Sequence, residues 1–571
     1  MFNDPHYAMP NANPISLPMT RRVIAILGLA ALGHTVPASR ALAQSTTEDP
    51  PVVSIVPVPE SLTAGSGRFT LTAGTVIWAD AASADVARRF AAWIAPATGF
   101  ALPVRVGGTP TGRAIILRRD TRLTRLGAEG YELTVTPRQV TVRARERAGV
   151  FYALQTVRQL LPPEVFREAR VDSVPWIIPA IRVVDRPRFS WRGAHLDVGR
   201  HFMPKEFVKK YIDLLALHKL NSFHWHLTED QGWRLQIRKY PRLTDVGAWR
   251  TQTLAGHQPG GNDSTTWQYD GQRHGGFYTQ DDVREIVAYA RDRFVNVVPE
   301  IEMPGHALAA IAAYPQLGVT GQPADVGTRW GVYANILNAE ESTIAFMQDV
   351  LAEVLELFPS RFIHIGGDEA DKALWKTSPR IQERIRELGV EDEHGLQSWF
   401  IRRMDAFLTS KERRLVGWDE ILEGGLAPNA TVMSWRGTKG GIDAARAGHD
   451  VIMAPTSHTY LDYYQSRNTA GEPLAIGGFL PLETVYAFEP IPADLEPAHR
   501  SRILGAQAQV WTEYLKTPKH VEYMAFPRLT ALAEVVWSPA ERRNYTDFLA
   551  RLEDHLRRLT ILDVGYRPPG P

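Results

Sequence analysis

From about residue 188 to 540, short apolar runs alternate with amphipathic stretches. The runs cover 192–197, 222–227, 295–301, 362–365, 414–418, 431–435, 450–454 and 506–511. Each is bounded by turn residues and has the length of a buried strand. The stretch 204–218 repeats at helical spacing. Pro204 stands in its first turn, and Phe207, Tyr211, Leu214 and Leu215 lie on one face. Residues 282–290 and 343–357 behave alike, whereas 418–431 is too short and Gly/Pro-rich for a helix and predicts an irregular crossover. Eight strands separated largely by helices predict an α/β fold with a parallel (β/α)8 TIM barrel.

Residues 52–186 follow another pattern and predict a small N-terminal α/β domain of sheet and helices. Strands are expected at 68–72, 75–78, 114–117, 131–136 and 139–143, the last two joined by a hairpin at Pro137-Arg138. Helices are expected at 84–94 and 150–161. The second aligns Phe151, Leu154, Val157, Leu160 and Leu161. No group of residues here suggests chemistry. Asp185-Arg186-Pro187 marks a boundary, and the barrel domain is expected to run over 187–560.

Length and charge narrow the function. A chain of 571 residues accommodates more than one domain. A net charge of +1 gives no reason to expect a nucleic-acid partner. The absence of cysteine excludes disulfides, thiolate metal sites and a lipid-anchored cysteine. Residues 1–45 read as a targeting segment. Arg21-Arg22 precede an apolar run at 23–33, and Ala41-Leu42-Ala43 resembles a cleavage site before Gln44. The run is too short for a mature membrane span, so the expected location is periplasmic or secreted. Thr20-Arg21-Arg22 resembles a twin-arginine signal, and Met19 is an alternative start.

Barrel chemistry gathers where strands end. Asp197, Arg200 and His201 follow the first run, and His224, His226, Glu229 and Asp230 the second. Glu302 and His306 follow the third, and Gly366-Gly367-Asp368-Glu369 the fourth. Trp418, Trp435 with Arg436, Tyr460 with Asp462, and Trp511 with Glu513 follow the others. The glycine pair lets the chain leave the strand so that adjacent acids serve one site. Two carboxylates in one pocket repel, which splits a proton donor from a charge stabiliser. Aromatic faces, acids, an Arg and a Tyr together describe a sugar pocket. Acids adjacent in sequence do not suit the usual acid-plus-nucleophile pair, and leave the substrate to supply its own nucleophile.

These motifs resemble glycoside hydrolase family 20, the β-N-acetylhexosaminidases. The resemblance is carried by Trp191-Arg192-Gly193 through Asp197-Val198-Gly199-Arg200-His201 and by His224-Trp225-His226-Leu227-Thr228-Glu229-Asp230-Gln231-Gly232-Trp233-Arg234. It continues through Glu302-Met303-Pro304-Gly305-His306, His364-Ile365-Gly366-Gly367-Asp368-Glu369, Gly417-Trp418-Asp419-Glu420 and Ser434-Trp435-Arg436-Gly437, and ends with Tyr460-Leu461-Asp462 and Trp511-Thr512-Glu513. It implies an exo-acting, retaining enzyme that releases terminal β-linked GlcNAc or GalNAc without cofactor or metal. The substrate's 2-acetamido oxygen would attack the anomeric carbon and give an oxazolinium-type intermediate. By the same resemblance Glu369 is the general acid and then base. Asp368 orients the acetamido N–H, and Tyr460 donates to the acetamido oxygen. Trp418, Trp435 and Trp511 box the methyl group. Arg200, Asp462 and Glu513 hold sugar hydroxyls, and His306 with Glu229 sets the charge state of Glu369. The sugar could come from a chitin oligosaccharide, a cell-wall fragment or a glycan.

Two positions depart from the family pattern. Glu229 stands where many relatives carry Asp, and no Trp lies between Asp462 and Trp511, where some members place one at the leaving-group side. Two further readings compete: a metal-dependent barrel hydrolase using His224, His226 and His306, and a carbohydrate-binding protein without catalysis. His364 is expected as a satisfied core histidine, and His224 and His226 as structural supports. Trp191, Trp233 and Trp537 are expected in packing. Asp419 and Glu420 are expected to face solvent without a role.

Overall fold

A computed structural model describes residues 53–257 and 266–569. The targeting segment lies outside the described residues. No helix among those described is long and apolar enough to cross a membrane.

The N-terminal region forms a seven-stranded sheet in the order Ser61–Thr70, Ile177–Asp185, Tyr131–Val135, Gln139–Ala144, Ala114–Arg119, Val76–Ala79, Val104–Val106. Helices Ala84–Thr98 and Arg147–Leu160 pack against it. The expected hairpin pairs Val135 with Val140 across the Pro137 turn. Two strands were not expected from the pattern. Val104–Val106 is short and half exposed. Ile177–Asp185 contains Pro179, which ordinarily argues against an interior strand. The structure accommodates it at a bulge, because Pro179 pairs with Arg68 where the register of Ser61–Thr70 shifts. That partner strand starts seven residues before the expected position of 68, since its first residues are polar and exposed and show no alternation.

The second region is the closed parallel barrel that the alternation predicts. Its strands are β1 (Trp191–Asp197), β2 (Ser222–His226), β3 (Asn296–Glu300), β4 (Phe362–His364), β5 (Arg414–Trp418), β6 (Thr431–Ser434), β7 (Val451–Met453) and β8 (Ile503–Ala508). β8 begins three residues before the expected 506. Gly505 lies opposite a register irregularity in β7, and Gln509, just past β8, meets Tyr460 by a single bridge. Between β5 and β6 only the 3-10 turn Asp419–Leu422 forms, the expected irregular crossover. Helices Lys205–Leu217, Gln280–Arg291, Glu341–Leu357 and Glu393–Ser410 wrap the earlier strands, each turning an apolar face inward.

The seam between sheet and barrel contains buried ions. Lys219 Nζ lies 2.9 Å from Asp185 Oδ2 and donates to Tyr131 Oη at 2.9 Å, while Trp537 Nε1 donates to Asp185 at 3.0 Å. Arg192 forks onto Glu129 at 2.7 and 2.9 Å and donates to the Lys219 carbonyl. These contacts tie the start of β1 and the turn before β2 to the N-terminal region.

Candidate active site

The chain leaves β4 through Gly366 (φ 67°) and Gly367 (φ 91°), and Glu369 itself adopts φ 44°. Glycine is needed at both positions. A Cβ at 366 would collide with the Glu302 carboxylate, and one at 367 would come 2.7 Å from Ile421. The left-handed backbone at Glu369 is a strain of order 1–3 kcal/mol, held by the surrounding structure. The turn buries Asp368 and leaves the Glu369 side chain 37% exposed beside it.

His306, also left-handed at φ 47°, stands between the two acids. Its Nε2 is 3.5 Å from Glu369 Oε2 and 3.6 Å from Asp368 Oδ2, and its Nδ1 is 2.8 Å from Glu229 Oε1. Burial disfavours charge on His306, but the Glu229 and Asp230 carboxylates outweigh it and keep the imidazolium. Burial also works on both acids. Asp368 is pushed up to about 6, with Glu300 and Glu369 adding to the desolvation against His306. At Glu369 the desolvation is overcome by the hydrogen bond and charge of His306 and by Arg200, so its carboxyl lies below the ordinary value.

Glu229, the departure at this position, reaches its partners. Oε1 accepts from the Asp230 amide, and Oε2 meets Arg200 Nη2 at 2.9 Å and His226 Nε2 at 3.2 Å. Arg200 also approaches Asp197 and Glu513 at 3.4 Å and lies over the Trp511 ring at 4.9 Å. Asp462 is 1% exposed, and neither of its oxygens has a protein hydrogen-bond partner. Desolvation, then the neighbouring Glu513, raises its carboxyl well above the usual range.

The aromatic residues enclose one space. Trp418 and Trp511 have ring centroids 5.8 Å apart, Tyr460 and Trp511 6.4 Å, and Trp435 and Tyr460 6.2 Å at 24°. Thus the residues expected from the strand ends, Arg200, Glu229, His306, Asp368, Glu369, Trp418, Trp435, Tyr460, Asp462, Trp511 and Glu513, all stand at the C-terminal mouth of the barrel.

Asp419 and Glu420 do not face solvent as expected; they are 2% and 8% exposed. Asp419 Oδ2 accepts from the Trp435 amide and from Ser434 Oγ, and Oδ1 accepts from Arg436 Nε at 2.6 Å. Glu420 Oε2 accepts the Trp435 indole N–H at 2.9 Å. The signal was their place one and two residues after a strand end. Glu300 was also missed. It is fully buried, and Trp418 Nε1 donates to it at 2.9 Å. An acid inside an apolar strand must find donors, and that was its only signal.

His364 and His224 lie in the barrel interior beside Glu300, and His226 links Glu300 to Glu229. Four His/acid triads have ligand atoms within 4.8 Å of one another. In those containing His226 or His306, imidazole nitrogens are turned towards neighbouring carboxylates.

Residues 189–540 match the glycosyl hydrolase family 20 catalytic domain, and residues 52–186 match that family's domain 2. The chain belongs to glycosyl hydrolase family 20. It is 46% identical to a Beta-hexosaminidase of Porphyromonas gingivalis across 91% of its own length, and spans 65% of that relative. A Beta-N-acetylhexosaminidase of Cellulomonas fimi is 32% identical, with 88% of this chain and 94% of the relative covered. Among solved structures, the GH20 β-N-acetylhexosaminidase of Streptomyces coelicolor A3(2) superposes with a TM-score of 0.78 at 33% identity, covering 91% of this chain and 98% of that one. A mutant Streptomyces plicatus β-hexosaminidase in complex with the product GlcNAc gives the same TM-score at 32% identity, with 91% and 97% covered.

Proposed function

We propose that the protein is an exo-acting, retaining β-N-acetylhexosaminidase whose substrate supplies its own nucleophile. The observation that carries this reading is the placement of Asp368 and Glu369. They occupy one turn, on either side of His306 Nε2, rather than opposite faces of a sugar ring. Asp368 lies within electrostatic reach of the Tyr460 phenol, and Glu369 is the more exposed of the two.

With a terminal N-acetyl-hexosamine bound, Trp418, Trp435 and Trp511 enclose the acetamide methyl. Asp462, Glu513 and Arg200 take the ring hydroxyls, which supply the hydrogen bonds that the Asp462 carboxyl does not find in the protein. The acetamido N–H donates to Asp368 and favours its carboxylate. The sugar covers Glu369, and lost water raises its pKa towards the protonated form. Glu369 then protonates the glycosidic oxygen as the bond to C1 breaks. The acetamido oxygen, aligned by Tyr460, bonds to C1 and forms the oxazolinium ring. Asp368 faces the positive charge that develops on nitrogen. After the aglycone leaves, Glu369 takes a proton from water. The resulting hydroxyl bonds to C1, the ring reopens to the acetamide, and the configuration is retained.

Turnover of an aryl N-acetyl-β-glucosaminide tests the assignment. A protein that only binds carbohydrate gives none, and a metal-dependent hydrolase loses it on chelation, whereas the proposed enzyme is unaffected. A substrate panel with both epimers and several chain lengths ranks GlcNAc against GalNAc and chitin oligosaccharides against other glycans. Export to the periplasm or beyond rests on Arg21-Arg22, the apolar run and Ala41-Leu42-Ala43. N-terminal sequencing of the secreted or periplasmic protein is expected to begin at Gln44, and an intact cytoplasmic Met1 or Met19 start contradicts it.

A further inference from the structure

Beneath the sugar pocket a single carboxylate collects the barrel's interior donors. Glu300 ends β3 and has no solvent exposure. Its Oε1 accepts the Trp418 indole N–H at 2.9 Å and lies 2.7 Å from His364 Nδ1. Its Oε2 accepts from His226 Nδ1 at 2.5 Å and lies 2.9 Å from His224 Nε2. Trp418 walls the aromatic box. The opposite ring nitrogen of His226 meets Glu229, which meets His306, which faces Glu369. One side chain therefore borders both halves of the site.

We propose that Glu300 is a positioning residue that couples the acetamide box to the proton donor, through Trp418 on one side and the His226–Glu229–His306 chain on the other. The proposal rests on the glycosidase reading above.

The chemistry follows from valence. The Glu300 carboxylate accepts from both the Trp418 indole and His226 Nδ1, whereas a glutamine in its place offers one carbonyl and turns two N–H groups on the same partners. The charge matters as well. His226 is held at about 10, because Glu300 and Glu229 overcome the burial that would make it neutral. It therefore donates from both nitrogens. If His226 loses its proton, one of these two donations ends and Glu229 swings or loses a partner, and the His306 imidazolium changes with it. Other titratable groups face this chain from the neighbouring elements. His195 and Asp197 come from β1, Glu302 from beyond β3, and Arg200 and Asp230 from the loops. None of them contacts both Trp418 and His226.

A double-mutant cycle tests the coupling. Wild type, His226→Asn, Trp418→Phe and the double variant are assayed on an activated aryl and a poor-leaving alkyl N-acetyl-β-glucosaminide, with pH profiles. Trp418→Phe is expected to raise KM about fivefold with kcat nearly kept. His226→Asn is expected to lower kcat on the poor leaving group about tenfold and to move the pH profile, an effect smaller than loss of the acid itself. The double variant should differ from the product of the two by about fivefold. Glu300→Gln, if it folds by circular dichroism, should show both single defects at once. Simple multiplication of the single effects, or a folded Glu300→Gln within twofold of wild type, overturns the proposal. A stoichiometric metal whose removal abolishes activity also overturns it, by making Glu300 a ligand. Absence of wild-type turnover on both substrates instead fails the glycosidase assignment.

Discussion

At the seam between the N-terminal sheet and the barrel, buried charges meet their complements. Lys219 pairs with Asp185, and Arg192 with Glu129, with indole and phenol groups taking the remaining hydrogen bonds. At the barrel mouth the acids Glu229, Asp230, Glu302, Asp368, Glu369, Asp462 and Glu513 face chiefly Arg200 and His306. There, both oxygens of Glu302 and of Asp462 and one of Asp368 have no protein hydrogen-bond partner. The seam is arranged for stability. Left-handed backbone occurs in both places, at Lys219 in the seam and at His306 and Glu369 in the mouth, so it is the acids without protein hydrogen-bond partners that set the mouth apart. The difference separates residues whose loss unfolds the protein from residues whose loss silences it.

The largest expected break of that contrast is at Glu369. Glu369→Gln should lower kcat/KM on poor leaving groups about 10³-fold and on activated aryl glycosides far less, with thermal stability unchanged. Equal losses on both contradict the acid role. At the seam, Lys219→Met leaves Asp185 buried without its cation. It should cost about 3–5 kcal/mol in denaturant unfolding while the folded fraction keeps normal kcat. A lost activity without lost stability would erase the distinction between the regions. Asp368→Asn should reduce turnover of N-acetyl substrates about 10²-fold with the fold intact, and normal turnover refutes its orienting role.

The pH profile sharpens the same point. The working form of Asp368 is the carboxylate, and its pKa in the free site is raised to about 6. Glu369 works protonated and lies below its ordinary value in the free site, so kcat/KM should be greatest between the two pKa values and fall on either side, and its acidic limb should disappear in Asp368→Asn. The smallest effect is expected at Glu420→Gln. It keeps an acceptor for the Trp435 indole and should raise KM only about two- to threefold, a change in the order of one hydrogen bond's net worth or less.

Much of this contrast was legible in the chain. The short apolar runs located the eight barrel strands, and the residues directly after them supplied the acids and rings of the mouth. What escaped was set by partners distant in sequence. Ser61–Thr70 is a strand because Ile177–Asp185 pairs with it, not because of its own pattern. Glu300 ends an apolar strand, and its role depends on nitrogens from β2, β4 and β5. Asp419 and Glu420 look like surface acids until β6 brings Trp435 and Arg436 against them.

The central claim is that the sugar's amide oxygen attacks C1. A series of aryl N-acyl-β-glucosaminides with zero to three fluorines on the acetyl group measures this directly, since each fluorine weakens that oxygen as a nucleophile while barely altering its size. The account predicts a steep fall in log(kcat/KM) with each fluorine; a flat series, or comparable hydrolysis of the plain aryl glucoside, would contradict it.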